Sequence, residues 1–218
     1  MNPAAGIPPP GGGASLRAEV TGREAGARFG IVPTRIPDVL VVDVPAFADE
    51  RGHFFESYHR QRFAEHGITG EFVQDNHSRS RRGVLRGFHY QDDTAPMGKL
   101  VRCVHGAILD VAVDLRVGSP TLGQWVAEEL TAENRRQLMV PAGFGHAFLA
   151  LSDGAEVVYK CTGFYTPSAE GGVVWNDPDI GVGWPVADPI LSPRDRALLS
   201  FREYLRRPAF RLAPGDPR

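Results

Sequence analysis

The chain is predicted to be all-β, a sandwich or barrel with a few short helices. Three observations carry that reading. Short runs of β-branched and aromatic residues recur at 100–104, 107–115, 125–130, 137–140, 147–151, 157–162 and 172–175. Turn chemistry separates them closely, as in His105-Gly106, Gly118-Ser119-Pro120, Pro141-Ala142-Gly143 and Ser152-Asp153-Gly154. Helical texture is confined to residues 60–66 and 193–204. Many short strands with close turns and little helix indicate two packed sheets or one closed sheet.

In order along the chain, residues 1–30 are rich in Gly, Pro and Ala with no amphipathic period, which predicts a disordered extension. Residues 31–207 form the expected single domain, and residues 208–218 a loose C-terminal tail. Val39 to Val44 reads as a strand, Phe47 to Gly52 as a turn, and His53 to Tyr58 as a second short strand. The run RQRFAEH is helical and is stopped by Gly67. Near the C-terminus Ser192 is a natural N-cap for a helix beginning at Pro193.

With 42% hydrophobic and 23% charged residues, the chain has the balance of a water-soluble domain. Its net charge of −2 argues against nucleic acid as partner, which calls for a large basic excess. No apolar run approaches a membrane span, and no basic-then-apolar leader is seen, so no membrane association and a cytoplasmic location are expected. Cys103 and Cys161 are too few for a disulfide framework and sit in no metal spacing. Arginine supplies almost every basic side chain. The only lysines are Lys99 and Lys160, so Lys99, close to the most polar strand, is a candidate for a role that a guanidinium does not fill.

That strand lies within residues 74–91, QDNHSRSRRGVLRGFHYQ. Arg86 and His89 stand among strand-forming residues, where polar groups are costly unless satisfied or facing a cavity. Three residues apart, they point to opposite faces of a regular strand; a shared pocket therefore requires a bulge near Gly87. The turn VPAGFGH, residues 140–146, resembles the second motif of the cupin superfamily, small jelly-roll β-barrels that often hold a metal. The first motif here reads His89-Tyr90-Gln91 and lacks the second histidine ligand, so no metal is expected. Asp110 and Asp114 share one strand face with Ala112; a cavity-facing and a solvated position both remain open for them. Tyr159 ends an apolar strand and is either a core tyrosine or an acid.

The segments FVQDNHSRS, VLRGFHYQ, KLVRC, DVAVDLR and WNDP, spread in order from residue 72 to 178, resemble the dTDP-4-dehydrorhamnose 3,5-epimerase family. The resemblance extends from about Ile36 to Leu205. It implies a cupin-like jelly roll, usually a homodimer with sites shared across the interface, and a reaction without metal or other cofactor. It implies a dTDP-4-keto-6-deoxyhexose as substrate, inverted at C3 and C5 through an enolate in deoxysugar biosynthesis. Carried over by motif, His89 is the base, Asp195 its carboxylate partner, Lys99 the enolate stabiliser and Tyr159 the acid. The implied binding residues are Arg51, Glu56, Gln74, Asn76, Arg86, His146, Tyr165, Glu170 and Arg194. Of these, Arg51 and Glu56 are the residues expected to be lent across a dimer, and Tyr165 to stack on thymine. Phe164 stands where the family often has a second tyrosine, and Gly145 precedes His146 where alanine is common. The alternatives are inversion at C3 only or C5 only, a sugar-nucleotide 3,4-ketoisomerase, a non-catalytic sugar-binding cupin and a metal-dependent dioxygenase.

Overall fold

A computed structural model describes residues 29–212. Of the disordered extension expected at residues 1–30, residues 1–28 lie outside it, as do the last six residues, whereas Gly30 already opens a strand. In chain order the strands are β1 Gly30–Pro33, β2 Leu40–Asp43, β3 Phe47–Asp49, β4 Gly52–Phe54, β5 Gln74–Ser80, β6 Leu85–Gln91 and β7 Lys99–His105. They continue as β8 Ala107–Asp114, β9 Trp125–Thr131, β10 Gln137–Val140, β11 Phe144–Ala150, β12 Ala155–Cys161 and β13 Glu170–Gly172. Three short helices are α1 Arg60–Glu65, α2 Pro193–Arg196 and α3 Phe201–Arg206.

Two antiparallel sheets face one another, in the cupin-like jelly-roll arrangement. One has the order β1-β2-β10-β7-β12-β5 and the other β13-β6-β11-β8-β9, with β3-β4 a separate hairpin. The period-2 alternation of each strand decides what fills the space between. Val101 and Cys103 of β7, Val157 of β12, Ala112 of β8 and Phe144 and Phe148 of β11 point inward into one buried cluster. Leu109, Val111 and Val113 point the other way, where Val173, Ile180, Phe201, Tyr204 and Phe210 cover the five-stranded sheet.

Several boundaries differ from expectation. Phe47 to Gly52 is half strand, because β3 and β4 pair directly, and the strand expected over 53–58 ends at Phe54. The helix expected over 193–204 is two. Leu199 leaves helical geometry to bridge Val173, so Ser192 caps α2 and Ser200 caps α3 with a reciprocal Glu203 bond. The start of the C-terminal tail is not loose: Phe210 is buried, the Val117 amide donates to the Phe210 carbonyl, and the Leu212 amide donates to the Val117 carbonyl. Asp110 and Asp114 are both 0% exposed, which excludes the solvated face. Asp114 is satisfied by Arg116, Ser119 and Thr121.

The bulge required by Arg86 and His89 is present. On β6, Arg86 pairs with Phe148 and His89 with His146, so Gly87 and Phe88 together oppose Ala147 alone. Gly87 has φ +124°, and a Cβ on it would lie 2.4 Å from the His146 carbonyl oxygen. Only glycine permits both the dihedral and the approach. We expect Gly87→Ala to cost roughly 2–4 kcal/mol in thermal or denaturant unfolding and to lower activity with it. Unchanged stability would show that the bulge does not need glycine.

Candidate active site

Beyond the apolar cluster, the inward positions of the same strands become polar and enclose a cavity of about 370 Å³. His89, just past the bulge, enters it from the five-stranded sheet. Its Nε2 lies 2.5 Å from Asp195 Oδ1. Asp195 is held in place by its own helix cap: Ser192 Oγ accepts from the Asp195 amide at 3.0 Å and donates to Oδ2 at 2.8 Å. Burial alone pushes the Asp195 carboxyl up, but the bonds from His89 and Ser192 and the charges of His89 and Arg194 hold it below the usual carboxylate range. An ionised Asp195 can only accept, so His89 Nε2 carries the hydrogen and Nδ1 is left as the basic nitrogen.

Tyr159 and Lys99 enter from the six-stranded sheet, on β12 and β7. Burial, reinforced by Cys161, raises the Tyr159 hydroxyl above its ordinary value, while a bond to Asn76 and the charge of Arg86 pull it partly back. It therefore stands protonated at neutral pH. Lys99 lines the cavity and makes no hydrogen bond or ion pair among the described residues. Burial lowers its amine, opposed by Cys161, Asp110 and Glu170.

The mouth is built by a chain of bonds. Gln74 Nε2 donates to Asn76 at 3.0 Å, Gln74 Oε1 accepts from the Tyr165 amide at 2.9 Å, and the Tyr165 hydroxyl donates to Glu170 at 2.6 Å. Arg194 pairs with the same Glu170 oxygen at 2.7 Å. Although burial pushes Glu170 up, Arg194 and Tyr165 bring its carboxyl below the usual range.

Five expected binding residues do not line this cavity, among them Arg194, which borders it only through its ion pair with Glu170. His146 is buried beneath it, bonded through Nε2 to Asp110 Oδ1 at 2.7 Å. Arg86 faces the same way as His89 but bonds to Ser80 at 3.1 Å outside the lining. Arg51 pairs with Asp49 at the tip of β3-β4, and Glu56 with Arg62 at 3.0 Å, because that hairpin stands apart from both large sheets. Four lining residues were not expected: His77, Tyr90, Met97 and Gln91. Gln91, 5% exposed, donates to Ala95 O and Phe164 O and accepts from the Thr166 amide at 2.7 Å, which fixes the loop carrying Tyr165. Its signal was present: a polar residue two on from His89 must also face inward.

Chemically, this arrangement can take up a proton at His89 Nδ1, release one from Tyr159 on the opposite wall, and hold negative charge at Lys99. Because its folded value is depressed, Asp195 contributes stability above the unfolded carboxylate value, and this is lost as pH falls through the folded one. We expect wild-type protein to be more stable than Asp195→Asn at neutral pH, with the gap closing in acid. A gap independent of pH would contradict the assignment of Asp195 as an ionised partner.

A family model described as dTDP-4-dehydrorhamnose 3,5-epimerase matches residues 33–203. The chain is 55% identical over 170 residues to a protein of that name from Pseudomonas aeruginosa, covering 77% of this chain and 93% of that one. It is 44% identical over 172 residues to a dTDP-4-dehydrorhamnose 3-epimerase from Streptomyces niveus, covering 78% and 83%. Among solved structures it resembles a Legionella pneumophila dTDP-6-deoxy-D-glucose-3,5-epimerase in complex with dTDP-4-keto-L-rhamnose. The TM-score is 0.82 at 42% identity, over 86% of this chain and all of that one. A 3'-monoepimerase from Streptomyces bikiniensis in complex with dTDP-quinovose gives 0.78 at 35%, over 83% and 92%. The chain belongs to the dTDP-4-dehydrorhamnose 3,5-epimerase family.

Proposed function

We propose that this protein epimerises a dTDP-4-keto-6-deoxyhexose at C3 and C5 in deoxysugar biosynthesis, using side chains alone. The observation that carries it is the placement of a carboxylate-backed His89 on one sheet and a protonated Tyr159 on the facing sheet, with Lys99 lining the same cavity. The C4 carbonyl of such a sugar acidifies the hydrogens at C3 and C5. His89 Nδ1 removes one, the electron pair passes to the C4 oxygen beside Lys99, and Asp195 stabilises the imidazolium. Tyr159 then delivers a proton to the other face of the carbon. Each inversion moves one proton onto His89 and one off Tyr159, so solvent must reset both.

The binding side follows from the mouth. Tyr165 offers an exposed aromatic face for thymine, while Gln74, Asn76, Glu170 and Arg194 offer donors and acceptors around it. Arg86 supplies positive charge from further along the sheet. His146 acts from beneath the cavity. Arg51 and Glu56 serve the site of a second copy in a homodimer, which their distance from this cavity and the exposed Phe47 and Phe54 of the same hairpin favour (69% and 71%). No helix among the described residues is long and apolar enough to cross a membrane, and we place the enzyme in the cytoplasm. A C3-only epimerase is the second reading, favoured by the likeness to 3-epimerases.

Turnover in D₂O separates the readings. Deuterium at C3 and C5 of the product is expected; deuterium at C3 alone establishes the second reading, and none at either carbon refutes both. His89→Ala is expected to lower the exchange rate by about 10²–10⁴-fold while dTDP still binds. Undiminished exchange would remove His89 as the base.

A further inference from the structure

Two loops at the mouth are tied into one body. The first, residues 92–98, runs from β6, which carries His89, to β7, which begins at Lys99. The second, residues 162–169, leaves β12, which carries Tyr159, and ends at Glu170. The β7–β12 ladder has its last register pair at Lys99 and Cys161 and then continues between the loops. There the Thr162 amide donates to the Gly98 carbonyl at 3.0 Å, and the Gly98 amide to Thr162 Oγ1 at 2.8 Å. Pro96 and Gly163 pass so closely that a Cβ on Gly163 would lie 2.8 Å from the Pro96 carbonyl oxygen. Gln91, 5% exposed, bonds to both loops at once. Its Nε2 donates to the Ala95 carbonyl of the first at 2.9 Å and to the Phe164 carbonyl of the second at 3.1 Å. Its Oε1 accepts from the Thr166 amide at 2.7 Å.

We propose that Gln91 is a positioning residue that couples nucleotide recognition at Tyr165 to the segment leading into Lys99. The side chain suits that task chemically. A primary amide offers two donors and an acceptor in one plane, which matches two carbonyl oxygens and one backbone N–H. Glutamate would set its oxygens against both carbonyls. Methionine, of similar volume, would leave those carbonyls and the Thr166 amide without partners in a buried place. Either change parts the two loops beside Tyr165. Tyr165 is itself anchored on two sides, its amide to Gln74 and its hydroxyl to Glu170, and Glu170 stands opposite Gln91 in the β13–β6 register. A base stacked on Tyr165 therefore steadies residues 164–166 and, through the Gln91 amide, the turn at residues 92–95. His89 lies two residues before Gln91 on the same strand, so the same bonds relate the base to both loops. This coupling rests on the reading of Tyr165 as the residue that holds thymine.

Amide hydrogen exchange followed by NMR, with and without dTDP, tests it. In wild type dTDP is expected to slow exchange about tenfold at Tyr165 and Thr166, and also at Thr94 and Ala95, neither of which lines the cavity. In Gln91→Met the slowing is expected to persist at Tyr165 and to vanish at Thr94 and Ala95. Calorimetric titration gives the second readout. Gln91→Met is expected to weaken dTDP binding about tenfold in wild type and by less than about twofold in a Tyr165→Ala background, because both residues act through one contact. Equal losses in the two backgrounds, or slowing at Thr94 and Ala95 that survives Gln91→Met, overturns the proposal. Should Gln91→Met fail to fold, the wild-type exchange pattern decides: slowing in both loops supports the coupling, and slowing confined to the Tyr165 loop overturns it. A wild type that binds no dTDP refutes the nucleotide reading and the coupling with it, whereas dTDP binding without a response at Thr94 and Ala95 refutes the coupling alone.

Discussion

Two residues of β6 opposing one of β11 at Gly87 is the constraint on which the site depends, because the direction of every later side chain on β6 follows from it. Without the extra residue, Arg86 and His89 would fall on opposite faces, and one would be driven into the apolar layer of Val173, Tyr204 and Phe210. With it, Arg86, His89 and Gln91 all face inward, while Leu85, Phe88 and Tyr90 pack outward. The close approach of Gly87 to the His146 carbonyl also locks β6 to the strand that carries the buried His146–Asp110 pair.

His89 then becomes useful only through a long-range partner. Asp195 is 106 residues away in sequence, and local bonds carry it home. Bridges of Val84 with Ile190 and of Val173 with Leu199 lay the C-terminal segment over the five-stranded sheet, and the Ser192 cap turns the carboxylate toward the ring. Across the cavity, burial shifts the Tyr159 hydroxyl up and the Lys99 amine down, favouring the uncharged form of each. The space between the sheets is thus divided: an apolar cluster supplies cohesion at one end, and polar side chains line the cavity at the other.

Much of this was legible from residue order. Strand-forming runs and turn residues placed nearly every large-sheet strand, and the spacing of Arg86 and His89 already required the irregularity at Gly87. The motifs identified His89, Lys99, Tyr159 and Asp195, which the fold brings to one place. What escaped was whatever depends on neighbours distant in sequence. Asp110 alternates with Val111 as a solvated residue would, and only the facing sheet makes its position an interior one. Phe210 looks like part of a polar tail until the groove beside Tyr204 is there to receive it. The break at residues 197–200 likewise comes from a pairing with Val173, which no local propensity encodes.

Opposition of acid and base across the ring is the central claim, since inversion at a carbon requires a proton to leave one face and arrive at the other. A crystal structure with an unreactive dTDP-6-deoxyhexose bound tests it most directly. The sugar ring is expected between the sheets, with His89 Nδ1 and the Tyr159 hydroxyl on opposite faces of it and Lys99 Nζ within hydrogen-bond reach of the C4 oxygen. His89 and Tyr159 on the same face, or Lys99 turned away from C4, would contradict the account.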